Sequence, residues 1–244
     1  MLCISQDQAD QGAPHAIDPS VSMTAGGMPV LTFGSWSNYG DGPKLGARGG
    51  GVWAVDLDPD TLALPQELLD LCGDNFPNCF DATEPRFRNI ANHRGYNSPD
   101  GYVDGNSIEG SYLFDNLNDM GYYYLFVNWF WCCRGVDSTY QIMVGRSKSK
   151  DGPFLDKNGA DLADNDADTE GTVVMESNTD GYVGAGHAGI LQVKGEGGKY
   201  EYVFTNHFEA TPDCEGGFCR TLQATRLRFF DGWPTLMYDE PILD

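Results

Sequence analysis

Short apolar and aromatic runs alternate with polar turns rich in Gly, Pro, Asn and Asp, and the spacing of these runs repeats three times along the chain. Alternation at such short intervals predicts β-strands joined by tight turns. The first unit predicts strands over 16–21, 29–36 and 51–58, the second over 107–114, 122–129 and 140–147, and the third over 186–191, 200–207 and 221–228. A turn follows each third strand, at Asp58-Pro59-Asp60, Lys150-Asp151-Gly152-Pro153 and Asp231-Gly232-Trp233-Pro234. Fourth strands are predicted at 87–92, 171–176 and 236–238, and the rest of 60–106 reads as a blade edge plus a surface loop. Only 60–72 reads as a helix, without a clear apolar stripe.

Radially repeated four-stranded antiparallel sheets are propeller blades, whose sites form where the innermost strands converge. Each unit's first strand carries one titratable residue, Asp18, Glu109 or His187, and its second strand ends 18 to 20 residues later at Trp36, Trp129 or His207. The repeat therefore predicts one pocket shared by Asp18, Glu109 and His187. The competing reading makes them unrelated polar residues at strand ends.

Composition agrees with this all-β picture, because 31 Gly, 13 Pro and 12% aromatic residues suit many short strands. With 244 residues the chain is long enough for a sizeable core. A net charge of −21 argues against nucleic acid or an anionic membrane as partner and leaves a neutral polymer more comfortable. No apolar run is long enough to span a bilayer, and residues 1–5 do not resemble a signal peptide. Of the seven cysteines, Cys72 and Cys79 bracket one loop, Cys214 and Cys219 bracket another, Cys132 and Cys133 are adjacent, and Cys3 is left over. Such local pairs suit loop staples in an oxidising compartment, and their connectivity stays open.

Two carboxylates facing each other across an apolar channel do not titrate independently, so one can stay protonated near neutrality and protonate a leaving oxygen. Glycoside hydrolysis needs such an acid and a second carboxylate across the bond, about 5–5.5 Å away for retention or about 6.5–9.5 Å for inversion. Trp36, Trp53, Trp129 and Trp131, with Tyr122 to Tyr124, offer flat faces for sugar rings, with Trp36 and Trp129 the candidates for substrate binding; core packing is the alternative for each. His187, flanked by Gly184, Gly186 and Gly189, leaves room for a bulky ligand.

The motifs Ala16-Ile17-Asp18-Pro19, Ile108-Glu109-Gly110-Ser111-Tyr112, Tyr122 to Val127, Cys132 to Tyr140, Val144 to Ser149, Gly152-Pro153-Phe154 and Gly186-His187 resemble the endo-arabinanases of glycoside hydrolase family 43. The resemblance covers roughly 16–234. It implies a five-bladed propeller that hydrolyses α-1,5-linked arabinan with inversion, of which about three to three and a half blades lie in this chain. Residues 1–15 then form an unassigned segment and 16–244 a partial catalytic propeller. The resemblance makes Glu109 the general acid, Asp18 the modulator of its pKa, and His187 the central His that holds a metal ion, often calcium, through water. Arg134 and the adjacent cysteines also belong to the family pattern, in a structural role.

Two departures stand out. Gly184-Ala185-Gly186-His187-Ala188 replaces the family's usual Gly-Pro-Gly-His-Asn, and the family's base Asp lies well upstream of the Ala-Ile-Asp-Pro motif, whereas 15 residues precede Ala16. Asp7 and Asp10 lie in no strand pattern and are not assigned. The expectation is a secreted arabinan-degrading hydrolase, N-terminally incomplete and inactive alone. Its alternatives are a non-catalytic carbohydrate-binding propeller remnant and an acidic extracellular interaction protein. The acidic run 161–170 opens like a calcium loop but carries Thr169 where the Gly belongs, and reads as a solvated insertion.

Overall fold

The computed structural model describes residues 17–36, 51–72, 86–93, 96–97, 103–104, 107–164, 171–176, 182–211 and 220–242. Three antiparallel four-stranded meanders follow one another. The first contains β1 (Ile17–Met23), β2 (Pro29–Trp36), β3 (Val52–Asp56) and, after helix α1 (Gln66–Cys72), β4 (Arg88–Ala91). A two-residue pair, β5 (Tyr96–Asn97) with β6 (Val103–Asp104), precedes the second: β7 (Ser107–Asn116), β8 (Tyr122–Trp129), β9 (Gln141–Ser147) and β10 (Thr172–Met175). The third contains β11 (Gly186–Lys194), β12 (Tyr200–Phe208), β13 (Thr221–Phe230) and β14 (Trp233–Met237). All twelve predicted strands are present. The first two sheets are joined through β2 and β7, where Ser35 faces Ile108 and Trp36 faces Ser107.

The second sheet is buried on both faces, which explains why β8 reads as an almost unbroken aromatic run. Tyr123, Leu125, Val127 and Trp129 point into a core shared with Val30, Val52 and Ile90 of the first sheet. Tyr124 and Phe126, on the opposite face, join Tyr202, Phe204 and Leu227 of the third. The outer face of the first sheet is closed by Leu68 of α1 and by Phe87, packed with Phe33 and Trp53.

The helix starts later than the sequence predicts. Asp58 accepts hydrogen bonds from the backbone of Asp60 and Thr61 and from the Thr61 hydroxyl, and Leu62 adopts a positive φ of 57°, so a turn occupies the first part of the segment. The last strand starts earlier than predicted, because Asp231 and Gly232, both at positive φ, form a two-residue hairpin that places Phe230 opposite Trp233. Arg146 fastens this hairpin to the second sheet. Its guanidinium lies 4.4 Å from the Tyr122 ring and 4.3 Å from that of Trp233, and Nη1 donates to the carbonyls of Asp231 and Gly232.

Among the described residues no helix is long and apolar enough to cross a membrane. Phe126, fully buried with its ring 5.9 Å from that of Phe204, ties the second sheet to the third. Phe126→Ala is expected to cost about 3–5 kcal/mol in urea unfolding; a loss below about 1 kcal/mol would show that this core is not shared.

Candidate active site

The inner strands β1, β7 and β11 carry the same irregularity. Between Ile17 and Ser20, between Glu109 and Tyr112, and between Gly186 and Gly189, three steps on the inner strand oppose two on its partner. Each is a β-bulge whose first inserted residue is left-handed: Asp18 at φ 50°, Gly110 at 60° and His187 at 52°. The sequence repeat is thereby corrected by one residue. Asp18 and His187 are equivalent to Gly110, while Glu109 is equivalent to Ile17 and Gly186. Asp and His are among the few non-glycine residues that tolerate this backbone region.

The bulges bring Asp18, Glu109 and His187 together. Asp18 Oδ2 accepts from the Gly110 N–H at 3.2 Å and lies 3.4 Å from His187 Nε2. Glu109, 8% exposed, accepts from the Tyr140 hydroxyl at 2.8 Å through Oε1. The Tyr140 ring reaches it only because position 186 is glycine: a Cβ there would stand 2.3 Å from Tyr140 Cε1. Asn128, fully buried, accepts from the His187 N–H at 3.0 Å and donates to the carbonyls of Gln141 and Ala185, both at 3.2 Å. A Cβ on Gly110 would meet the same amide at 2.6 Å.

The two carboxylates are driven apart electrostatically. Burial raises the Glu109 pKa; the Tyr140 hydrogen bond opposes this without cancelling it, and the Asp18 charge adds to the rise. For Asp18 burial also pushes upward, but His187 and the Gly110 N–H outweigh it and hold the carboxyl below its ordinary value. The Asp18 hydrogen bond raises the His187 pKa against the effect of burial. His207, its ring 5.4 Å from that of His187, is lowered by burial and then by the His187 charge.

Glu109, Tyr140, His187 and His207 line a cavity of about 230 Å³ together with Cys132, Cys133, Glu209 and Arg220. Cys132 and Cys133 are bonded to each other. The bracketing pairs Cys72 with Cys79 and Cys214 with Cys219, and also Cys3, lie outside the described side chains. Calcium takes six to eight oxygen ligands. His187 offers one imidazole whose Nε2 already faces Asp18, and among the described residues the one converging ligand set is Cys132, Cys133 and Glu209. Among the described residues no set of protein ligands converges on His187, so a cation there would take most of its ligands from water, as the resemblance implies.

Trp129 corrects an expectation. It is 2% exposed, with its ring 4.2 Å from that of His93, and belongs to the core between the first two sheets. Tyr124 and Trp53 are buried likewise, whereas the side chain of Trp36 lies outside the described set. Sequence reading missed Asn128, Tyr140 and Glu209. A lone amide inside the aromatic run of β8 was the available signal for Asn128.

Three repeated antiparallel sheets whose inner strands converge on a buried acid, an ionised carboxylate and a histidine define an all-β protein with a polar centre suited to acid chemistry. The chain belongs to the glycosyl hydrolases family 43, whose model matches residues 6–234. It is 29% identical over 232 residues to an extracellular exo-α-(1→5)-L-arabinofuranosidase of Cellvibrio japonicus, covering 94% of this chain and 53% of that protein. It is 30% identical over 178 residues to an extracellular endo-α-(1→5)-L-arabinanase of Bacillus subtilis, covering 72% and 40%. The solved structure of an α-L-arabinanase of Cellvibrio cellulosa complexed with arabinohexaose superposes with a TM-score of 0.62 at 25% identity, covering 90% and 56%. The chain thus spans about half the length of the relatives it matches.

The raised pKa of His187 means that its pairing stabilises the fold fully below the ordinary imidazole value of 6.5 and is lost as pH rises through the folded value. The lowered pKa of Asp18 contributes above the ordinary 3.8 and is lost as pH falls through its folded value. Both contributions are complete between 3.8 and 6.5. In NMR titrations the His187 ring protons are expected to show a midpoint above 6.5 that drops in Asp18→Asn. A midpoint unmoved by that substitution would contradict the pairing.

Proposed function

We propose that the chain supplies the acid side of an inverting glycoside hydrolase that cleaves α-1,5-linked arabinan. The observation that carries this reading is the unlike pair of carboxylates, Glu109 raised and Asp18 lowered, at the meeting point of the inner strands. Glu109 holds its proton on Oε2, since Oε1 accepts from Tyr140, and delivers it to the glycosidic oxygen of the leaving sugar. The Tyr140 hydroxyl then steadies the carboxylate that results. Asp18, kept ionised by His187 and the Gly110 N–H, raises Glu109 through its charge and orients substrate hydroxyls.

Inversion requires a base about 6.5–9.5 Å from the acid with a water between them. We place that base on a further sheet of a five-bladed ring. Two facts support this: the chain spans about half of its relatives, and Leu191 and Leu222 of the third sheet are 58% and 78% exposed, as on a face that another sheet would cover. Arabinan as substrate is supported by the names of the relatives and by the arabinohexaose complex. Secretion is supported by the extracellular relatives and by the Cys132–Cys133 disulfide. The shortness of the match also favours a second reading, a carbohydrate-binding propeller remnant without turnover.

Release of reducing sugar from debranched arabinan tests both. The 244-residue chain is expected to give at most a trace, and a form extended upstream to be active. Glu109→Gln in the extended form should lower kcat about 10²–10⁴-fold. Activity of the short chain that the substitution abolishes would put the base among its own residues; silence in all forms would leave the binding remnant.

A further inference from the structure

One wall of the cavity beside Glu109 is sulphur. The bonded Cys132 and Cys133 line the same space as Glu109, Tyr140, His187 and His207, and Cys133 is exposed. The pair is anchored from behind. The Cys133 N–H donates to both carboxylate oxygens of Glu209 at 2.6 Å, and the Ser138 hydroxyl donates to the same carboxylate. Glu209 is 1% exposed, and its carboxylate and the two sulphurs lie within 4.8 Å of one another. A carboxylate so enclosed stays favourable only while its donors remain in place, so it fixes the backbone of Cys133 and, with it, the plane of the disulfide.

A sugar ring presents hydroxyls at its edge and C–H groups on its faces, so its site needs both polar partners and an apolar wall. Glu109 and His187 supply the polar side. Among the described residues, the aromatic side chains expected to supply the other are turned elsewhere: Trp129, Trp53 and Tyr124 lie in the cores, Tyr122 lies under Arg146, and Trp131 lies under the Arg134 guanidinium at 4.1 Å. With the Tyr140 ring fully buried, the disulfide is the polarizable, weakly hydrated surface that the described lining presents. A space of about 230 Å³ is smaller than the ~300–1,000 Å³ of pockets for drug-sized ligands and suits a single sugar residue.

We infer that the Cys132–Cys133 disulfide is a substrate-contacting surface, on which the C–H face of the sugar residue next to Glu109 packs. This inference rests on the reading of the cavity as an arabinan site. It makes the disulfide a determinant of affinity for a neutral pentose chain, with Glu209 and Ser138 as positioning residues that act through it.

The test is ligand protection. In the 244-residue chain carrying Glu109→Gln, which leaves the sugar intact, α-1,5-arabinotriose is titrated against the His187 ring signals to give Kd. The rate at which tris(2-carboxyethyl)phosphine reduces the Cys132–Cys133 bond is then followed by thiol alkylation and peptide mass spectrometry. At trisaccharide ten times Kd, reduction is expected to slow about tenfold. Cys132→Ser/Cys133→Ser should bind about fivefold more weakly. If that variant fails to fold, the protection measurement on the intact disulfide still decides, and a purely structural disulfide would not be protected. Binding seen at His187 with an unchanged reduction rate overturns the sulphur contact and leaves the arabinan reading standing. Absence of any binding removes both.

Discussion

The arrangement of the site depends on one buried amide. Asn128 lies on β8, the middle of the sheet that is covered on both faces, where an unpaired polar group would cost about 1–3 kcal/mol. Its hydrogen bonds therefore act as constraints. Its oxygen takes the backbone N–H of His187 and its nitrogen reaches the carbonyls of Gln141 and Ala185, so a single side chain sets the third sheet's inner strand against β8 and β9. The same amide sits where a Cβ on residue 110 would have to go, which makes glycine the required start of the second bulge. Gly110 in turn offers its N–H to Asp18 and so links the first sheet to the second. The three inner strands are located relative to one another by this chain of polar contacts, around which the apolar cores close.

The strands, their order and their grouping by four were legible because alternation and turn residues act locally, within a few positions of where they are read. Convergence of Asp18, Glu109 and His187 was legible for the same reason: a repeat in sequence placed them at like ends of like strands. The one-residue offset of Glu109 was not. It depends on which residue enters the left-handed region, and in the second unit glycine takes that place while the acid precedes it. Burial of Trp129 was equally hidden, because whether an aromatic residue faces a channel or a neighbouring sheet is set by the side of the strand it occupies and by what covers that side. Tyr140 and Glu209 lie far in sequence from the partners they hold, Glu109 and Cys133, and no local pattern announces such a pairing.

Two acids of nearly equal intrinsic strength end in opposite states, and the cause is the supply of donors. Both are disfavoured as anions by burial. Among the described residues Asp18, on the bulge, meets a backbone N–H and an imidazole, whereas Glu109, one position before the equivalent bulge, meets the Tyr140 hydroxyl and the negative charge of Asp18, with the His187 charge a smaller opposing effect. Moving a carboxylate by one residue relative to the bulge therefore changes it from an acceptor of fixed donors into a group held closer to its neutral form. In a protein of net charge −21, long-range repulsion acts on every carboxylate alike and cannot separate these two. The separation comes from contacts inside the bulges, and the offset that sequence periodicity concealed is the feature that gives the two acids different chemistry.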